Sequence, residues 1–137
     1  MIHCAIIGAG QIGSRHLQAL CKLESPVRVA LVDPSSESLQ TASDRYQEIV
    51  SSGKQNIELY CHHSLDALSG TLDIVIIATN SIVREKIIRD VIQKRLAKNL
   101  ILEKVLFQKK DQYIEIEALL KESSIPTWVN CWMRTTD

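Results

Sequence analysis

The sequence predicts an α/β protein in which a doubly wound parallel sheet of about six strands lies between two layers of helices. Three observations predict this architecture. Apolar runs alternate along the chain with segments of helical periodicity, most runs are continuous and rich in valine and isoleucine, and three of the 5 glycines fall within one window of six residues. Continuous apolar runs are typical of parallel strands that are covered on both faces.

Six apolar runs are the predicted strands. They cover residues 2–7, 27–32, 57–61, 74–78, 100–102 and 127–133. Pro26 and Pro126 each open a strand directly after a helix ends, which suits a residue that cannot continue a helix. Because strands alternate with helices, the connections are expected to be right-handed crossovers, which build a doubly wound sheet.

Four segments have the apolar spacing of amphipathic helices. Their apolar positions are Ile12, Ala19, Leu20 and Leu23; Leu39, Ala42, Tyr46, Ile49 and Val50; Ile82, Ile88, Val91 and Ile92; and Ile114, Ala118 and Leu119. Ser36, Ser64 and Ser81 lie where N-cap residues are expected. The segment after Ser64 is long enough for only one or two helical turns. The polar stretch 51–56 is predicted to be a surface loop rather than a domain boundary.

Composition and charge exclude several classes of protein. A chain of 137 residues is expected to form one domain with a sizeable core. It carries 16 Lys plus Arg and 16 Asp plus Glu, so its net charge of zero offers no long-range attraction to nucleic acid or anionic lipid. The N-terminus lacks the features of a signal peptide, and no apolar run approaches the ~20 residues of a membrane span. We therefore expect a soluble protein without nucleic-acid or membrane partners.

The cysteines indicate a reducing compartment and no metal site. They are Cys4, Cys21, Cys61 and Cys131, and no two of them form a CxxC pair. A chain of this size and apolar content does not need disulfides, so a reduced, cytoplasmic protein is predicted. Cys61, His62 and His63 are adjacent, but on a strand His62 points away from the other two. Because zinc requires three or four ligands, we predict no metal here.

The glycine cluster at residues 8–13 (GAGQIG) directly follows the first predicted strand and opens the first helix. In this setting Gly8 permits a sharp turn, Gly10 permits close approach of the backbone to a pyrophosphate, and Gly13 permits close packing of helix on strand. A tight turn that binds nothing is the alternative. The pattern predicts a Rossmann-type dinucleotide site.

Two further features support that prediction. The first helix offers unpaired amides around Gln11 and Ile12 to an anion. Asp33 ends the second predicted strand 20 residues after Gly13, where a carboxylate can accept both hydroxyls of an adenosine ribose. An exposed strand-end acid is the alternative. The charge of Asp33 would repel a 2′-phosphate, and residues 34–36 supply no Arg or Lys to neutralise one. NAD is therefore predicted rather than NADP, although two serines in that stretch could hydrogen-bond a phosphate.

Three segments carry more than a generic Rossmann domain requires. They are residues 8–16 (GAGQIGSRH), 73–79 (DIVIIAT) and 102–104 (LEK). Together they resemble the N-terminal half of the Gfo/Idh/MocA oxidoreductases, the family of glucose-fructose oxidoreductase and inositol dehydrogenase. That family has GxGxxGxxH, then DxVxIATP followed by a histidine, then EKP after the fifth strand. The likeness covers essentially the whole chain and implies that NAD(P) lies over the carboxyl ends of the strands.

The resemblance implies roles for residues in the second and third segments. The nicotinamide would lie near Ala78 and Thr79 on one side and Glu103 and Lys104 on the other. Thr79 and Asn80 would line the dinucleotide, Glu103 would lie by the nicotinamide ribose, and Lys104 would face the substrate. An ammonium at the carboxyl end of a strand can polarise a hydroxyl or share its proton during hydride transfer. A solvated lysine is the alternative for Lys104.

Three positions depart from the family pattern. Asn80 and Val105 stand where the family has prolines, and Arg84 stands near the usual histidine. Since a cis bond before a non-proline residue costs about 2.5 to 4 kcal/mol, the sequence predicts a trans bond between Lys104 and Val105. Arg84 is predicted to lie on a helix surface, with contact to a phosphate or carboxylate of an anionic substrate as the alternative. His16 is predicted to be neutral, with a packing or hydrogen-bonding role.

The resemblance also implies a second domain. In the family, a mainly antiparallel α/β domain follows the sixth strand and completes the proton relay. Residues 1–137 are therefore predicted to be one NAD(P)-binding domain of a dehydrogenase of sugars, polyols or related small molecules, inactive without that second domain. A stand-alone module that senses NAD without catalysis is the alternative. Trp128 and Trp132 both lie in the last predicted strand, which predicts self-association through this edge.

Overall fold

Strands and helices alternate along the chain in the computed structural model, which describes residues 1–51, 53 and 56–131. The strands are β1 (Ile2–Ile7), β2 (Val27–Val32), β3 (Ile57–His62), β4 (Ile74–Ile77), β5 (Leu100–Glu103) and β6 (Thr127–Asn130). The helices are α1 (Gln11–Leu20), α2 (Ser36–Val50), α3 (Ser81–Gln93) and α4 (Lys110–Ser123), with a 3-10 turn at Leu65–Ala67. The strands form one parallel sheet in the order β3-β2-β1-β4-β5-β6. The predicted doubly wound α/β fold is confirmed.

Two clusters of buried side chains hold the helices on the sheet. In one cluster, Leu17 of α1 and Tyr46 of α2 pack with Leu31 of β2. In the other, Ile88 of α3 and Ile116 of α4 pack with the strand residues of the opposite face. Each fully buried side chain of this kind contributes about 1.5–3 kcal/mol. The apolar stripes of the helices therefore fix which helix covers which face.

The helix starts differ from the predicted ones by one residue. The N-cap of α2 is Ser35 rather than Ser36, and its hydroxyl accepts an amide hydrogen bond at 3.2 Å. The N-cap of α3 is Asn80 rather than Ser81. Ser64 caps the 3-10 turn as predicted. An N-cap has an extended backbone, and Ser36 and Ser81 are already helical.

The two edge strands are less covered than continuous apolar runs predict. β3 exposes Tyr60 to 49 %, and β6 contains no buried residue. β3 connects to β4 through a 3-10 turn instead of a full helix, so little chain covers its face opposite α2. Strand β6 ends at Asn130. The predicted continuation at 132–133, including Trp132, lies outside the described residues, as do positions 52, 54 and 55 of the predicted loop.

All four cysteines, each within the described part of the chain, are free thiols. Burial raises the pKa of the Cys4 thiol to about 11, and the charge of Asp73 adds to that shift. Over the described ranges, no cluster of three metal-binding side chains occurs. No described helix is long and apolar enough to cross a membrane.

The strand order positions the candidate site. From β1 the chain moves outward to β2 and β3, and it then returns to β4 on the other side of β1. The connections after β1 and β4 consequently leave toward opposite faces of the sheet, and a crevice opens between them. Residues 8–13 and 78–80 lie at the two sides of this crevice.

Candidate functional site

The connection from β1 to α1 is a tight turn that requires two of its glycines. Gly8 has a φ of +99°, a conformation that residues with a Cβ rarely adopt. A Cβ on Gly13 would lie 1.7 Å from the carbonyl oxygen of Gly8. Gly10 differs from both, because its φ is −65° and, apart from its chain neighbours, no described atom lies within 4 Å of the position its Cβ would take. The turn therefore leaves open space at Gly10.

The N-terminus of α1 has the features of an anion-binding helix start. The helix begins at Gln11 without a side-chain cap, and its first turn contains no acidic residue. Its first amides are therefore available to an acceptor from outside the chain, and the helix dipole favours a negative charge there. Gln11 and Ile12 are both exposed beside this open end. The geometry suits a phosphate group in front of Gly10.

Asp33 joins the end of β2 to the glycine turn. Its Oδ2 accepts a hydrogen bond from the amide of Ala9 at 2.8 Å, and its Oδ1 accepts one from the amide of Ser35 at 2.8 Å. Each carboxylate oxygen has a second lone pair, so the group can still accept two ribose hydroxyls. Asp33 thus holds the turn in place, and each of its carboxylate oxygens can still accept one more hydrogen bond.

Two crevices meet at Thr79, one on each side of the glycine turn. The β2-side crevice, about 400 Å³, is lined by Gly8, Asp33 and Thr79 together with residues of the β3–β4 connection and α3. The β5-side crevice is about 450 Å³. It is lined by Gly10, Gln11, Ile12, Ala78, Thr79, Asn80, Ser81, Arg84, Glu103, Lys104 and Val105. Predicted residues from three distant motifs therefore converge, whereas Gly13 lies beneath Gly8 and supports the turn.

The β2-side crevice contains two lysines that the sequence motifs did not identify. Lys86 lies on α3 and Lys94 at its C-cap, and both side chains line this crevice together with Asp33. The Nζ of Lys86 lies 2.6 Å from Asp90, and that of Lys94 lies 2.7 Å from Asp66. Because a carboxylate accompanies each ammonium, these lysines add little net positive charge beside Asp33.

Thr79 presents an unsatisfied hydroxyl at the junction of the two crevices. Its Oγ1 is buried and has no hydrogen-bond partner within the described part of the chain. An unpaired buried hydroxyl costs about 1–3 kcal/mol, so an outside partner is expected. The neighbouring Asn80 also lines the crevice, but its Oδ1 caps α3 by accepting the amide of Ile82 at 3.0 Å. The open space at Gly10, the uncapped amides and this hydroxyl fit the polar groups of a dinucleotide.

Arg84 does not lie on the helix surface, so that prediction was wrong. Only 2 % of the residue is exposed. Its guanidinium donates hydrogen bonds to the carbonyl oxygens of Thr79, Glu103, Val105 and Leu106. Burial lowers the pKa of Arg84, and the charge of Glu103 opposes that shift. At this burial Arg84 offers a substrate almost no surface, and its contacts instead join the β4–α3 turn to the β5–α4 loop.

The bond between Lys104 and Val105 is cis, which contradicts the predicted trans bond. That prediction weighed the intrinsic preference of the bond and omitted its surroundings, where Arg84 binds the carbonyl groups of both Glu103 and Val105. A sequence signal for the burial of Arg84 did exist. Arg84 precedes Ile88 by one helical turn, on the buried stripe of α3.

The side chain of Glu103 in the β5-side crevice is bound by two other side chains. It is 8 % exposed, and its Oε1 lies 2.5 Å from Nε2 of His16 and 2.7 Å from Nδ2 of Asn130. His16 thus has the hydrogen-bonding role predicted for it, whereas no sequence motif identified Asn130. Lys104 follows directly and is exposed at the mouth of the crevice.

A family comparison agrees with this geometry. The Gfo/Idh/MocA family model, described as an oxidoreductase family with an NAD-binding Rossmann fold, matches residues 2–131. None of the curated proteins compared matches the chain.

Solved structures share the fold. An oxidoreductase from Agrobacterium radiobacter, in complex with NAD+, L-tartaric acid and magnesium, has a TM-score of 0.75 at 18 % identity over 94 % of this chain and 35 % of that one. Myo-inositol 2-dehydrogenase from Lactobacillus plantarum has a TM-score of 0.75 at 19 % identity over 99 % and 38 %. The WlbA dehydrogenase from Bordetella pertussis, in complex with NADH and UDP-GlcNAcA, has a TM-score of 0.74 at 18 % identity over 94 % and 34 %. The chain therefore spans little more than a third of their length.

We expect Gly13→Ala to lower the free energy of unfolding by about 3 kcal/mol, because α1 must move away from β1 to accommodate the new methyl group. Gly10→Ala is the matched control, since the φ of Gly10 suits alanine and its Cβ would meet no atom within 4 Å. That variant should remain within about 0.5 kcal/mol of the parent. Urea unfolding followed by circular dichroism measures both, and equal losses at the two positions would contradict the packing argument.

Proposed function

The chain belongs to the Gfo/Idh/MocA oxidoreductase family, and on that basis we propose that it is the NAD-binding half of a dehydrogenase. The reaction is hydride transfer between a nicotinamide and a secondary alcohol or ketone of a sugar, polyol or related metabolite. The observation that carries this proposal is the convergence of Gly10, Thr79, Glu103 and Lys104 in one crevice at the carboxyl ends of the strands. Bound NAD would supply the hydride chemistry, and the chain would position it.

Each part of the crevice has a binding role in this proposal. The amides of Gln11 and Ile12, beside the open space at Gly10, hold the pyrophosphate. Asp33 accepts the hydroxyls of the adenosine ribose with an orientation already set by two backbone amides. Thr79, with Ala78 and Asn80 beside it, lines the path toward the nicotinamide, and its hydroxyl gains the partner that the described residues do not provide.

Lys104 is the proposed catalytic residue. It directly follows Glu103, so both groups lie at the end of β5 where the nicotinamide is expected. Its ammonium would hydrogen-bond the reacting oxygen of the substrate and hold a proton there during hydride transfer. Because Lys104 is exposed, the proposal needs a second domain to cover it and exclude water. Residues 1–137 are accordingly proposed to be one domain, inactive without that partner domain.

The proposed cofactor is NAD rather than NADP. Asp33 places a carboxylate where a 2′-phosphate would lie, and the nearby Lys86 and Lys94 are each paired with an acid. Neither lysine is therefore an unpaired cation that could neutralise a 2′-phosphate next to Asp33. Residues 34–36 contain no Arg or Lys either. A reducing, cytoplasmic compartment is part of the same proposal, since the four cysteines are free thiols.

A module that senses NAD without catalysis is the second candidate. The observation in its favour is the set of departures from the family at Asn80, Val105 and Arg84, all of which line the β5-side crevice. Such a module would keep the pyrophosphate turn and Asp33 but would not require Lys104. The reading frame beyond Asp137 and the effect of a Lys104 substitution distinguish the two candidates.

Self-association through β6 is proposed as well. β6 is an edge of the sheet, and within the described residues its Trp128 is 56 % exposed and Val129 is 44 % exposed. Exposed strand edges that carry large apolar side chains tend to pair with another chain. The proposed occupant is a second copy of this chain, joined edge to edge.

We expect the chain to bind NADH more tightly than NADPH by at least about ten-fold, because the carboxylate of Asp33 repels the 2′-phosphate. Gly10→Asp should weaken NADH binding by a similar or larger factor, since it places a negative side chain in the space proposed for the pyrophosphate. Isothermal titration calorimetry measures both effects, with Gly10→Ala as a milder control. Absence of NADH affinity in the parent, with Gly10→Asp indistinguishable from it, would refute a working pyrophosphate turn.

In a protein extended by its second domain, Lys104→Met should lower kcat by about 10²- to 10⁴-fold, the range for a lost acid–base group. NADH affinity should remain close to that of the parent, because the substitution leaves the pyrophosphate turn intact. Turnover of a panel of polyols and sugars, followed by NADH absorbance, measures the effect. A stop codon directly after Asp137, or unchanged turnover in Lys104→Met, would support the sensing module instead.

Light scattering at increasing protein concentration should show a dimer that Trp128→Lys abolishes, because the charge opposes burial of this strand edge. Tyr60→Lys, on the opposite edge strand β3 with 49 % exposure, is the matched control and should leave the dimer intact. A strictly monomeric parent at high concentration counts against the proposed contact.

A further inference from the structure

Glu103 connects three elements that are far apart in the sequence. It lies at the end of β5, its partner His16 lies on α1, and its partner Asn130 ends β6. Both partners contact the same oxygen, Oε1, at 2.5 Å from His16 and 2.7 Å from Asn130. The side chains of His16 and Glu103 are only 20 % and 10 % exposed. The contact between His16 and Glu103 is therefore largely screened from competing water, whereas Asn130 itself is exposed.

The chemistry of the donors orients the carboxylate. The Nδ2 of Asn130 can only donate, and an ionised carboxylate can only accept, so His16 carries a proton on Nε2 to complete the second hydrogen bond. The two lone pairs of Oε1 are then both used inside the fold. Oε2 is accordingly the oxygen of Glu103 that can accept a hydrogen bond from a ligand in the crevice.

We propose that His16 and Asn130 are positioning residues that fix the Glu103 carboxylate, so that its second oxygen is presented to the nicotinamide half of the bound dinucleotide. The inference rests on the proposed function, because Glu103 lines the same crevice as Gly10 and Lys104. Neither His16 nor Asn130 needs to touch the ligand. Their effect is to hold one rotamer of Glu103 before the ligand arrives, which lowers the entropic cost of binding.

The location of His16 links the proposed pyrophosphate site to Glu103. It lies on the helix whose N-terminus faces the proposed pyrophosphate, so one helix serves the phosphate group at its start and Glu103 five residues later. Asn130 secures the same carboxylate from β6. In this proposal, contacts from α1 and from β6 position the group that faces the nicotinamide half, whereas the adenosine half depends on Asp33 and the glycine turn.

A comparison of ADP with NADH separates a positioning effect on Glu103 from a general loss of structure. ADP contains the adenosine and the pyrophosphate but no nicotinamide, so its affinity reports Asp33, the glycine turn and the N-terminus of α1 but not Glu103. In His16→Phe the dissociation constant for NADH should rise about ten-fold, the equivalent of one lost hydrogen bond to a charged group, while that for ADP stays unchanged. His16→Gln is the conservative control, because its amide can donate to the same oxygen, and it should restore NADH affinity to within about two-fold of the parent.

A second pair of variants tests the contact from β6, the strand next to β5. Asn130→Leu removes the donor at constant size and should weaken NADH about ten-fold. Asn130→Asp places a second carboxylate against Oε1 and should weaken NADH further, again without a change for ADP. This pair provides an independent result if the His16→Phe variant does not fold, which urea unfolding reports.

The outcomes are distinct. Selective weakening of NADH, with recovery in His16→Gln, supports the inference. Equal loss of NADH and ADP affinity, or unchanged NADH affinity in both His16→Phe and Asn130→Leu, overturns it and leaves the proposed function standing. A parent chain that binds ADP and NADH with equal affinity also overturns it, since the nicotinamide half then contributes nothing. A parent that binds neither ligand overturns the proposed function itself, and the inference with it.

Discussion

A single buried guanidinium joins the two loops on which the candidate site depends. Arg84 donates to carbonyl oxygens of the β4–α3 turn and of the β5–α4 loop. A buried charge is tolerated only where polar groups surround it, and here four carbonyl oxygens accept hydrogen bonds from the guanidinium. The turn that carries Thr79 and the loop that carries Lys104 are therefore joined by the same cation, which is only 2 % exposed.

The glycine turn leaves room for a ligand, whereas the Arg84 contacts hold the adjacent loops together. The turn opens space, since the Gly10 backbone is unobstructed and α1 begins without a cap. The contacts of Arg84 instead hold the β4–α3 turn against the β5–α4 loop. Between the two lies Thr79, whose hydroxyl is buried without a partner among the described residues. A preformed crevice with a few unsatisfied polar groups is the usual form of a small-molecule site.

Family membership and geometry contribute different things to the functional conclusion. The family match extends over residues 2–131 and gives the chain an NAD-binding Rossmann fold. At identities of 18–19 % the solved relatives show the fold and not the substrate. The local geometry adds what is particular to this chain, namely an arginine that organises the crevice and a glutamate held from two sides.

The order of strands and helices, the glycine turn and the position of Asp33 could be predicted from the sequence, because each rests on local periodicity or on the conformational needs of one residue. It also indicated which motifs share a site, since parallel strands place their carboxyl ends together. The tertiary structure was needed for the cis bond at Val105, the caps at Ser35 and Asn80, the contact of Asn130 with Glu103, and the carbonyl partners of Arg84, whose place on the buried stripe of α3 the helical spacing already indicated. Each of these depends on groups distant in sequence or on competition between adjacent polar residues, and no local pattern encodes the outcome of such a competition.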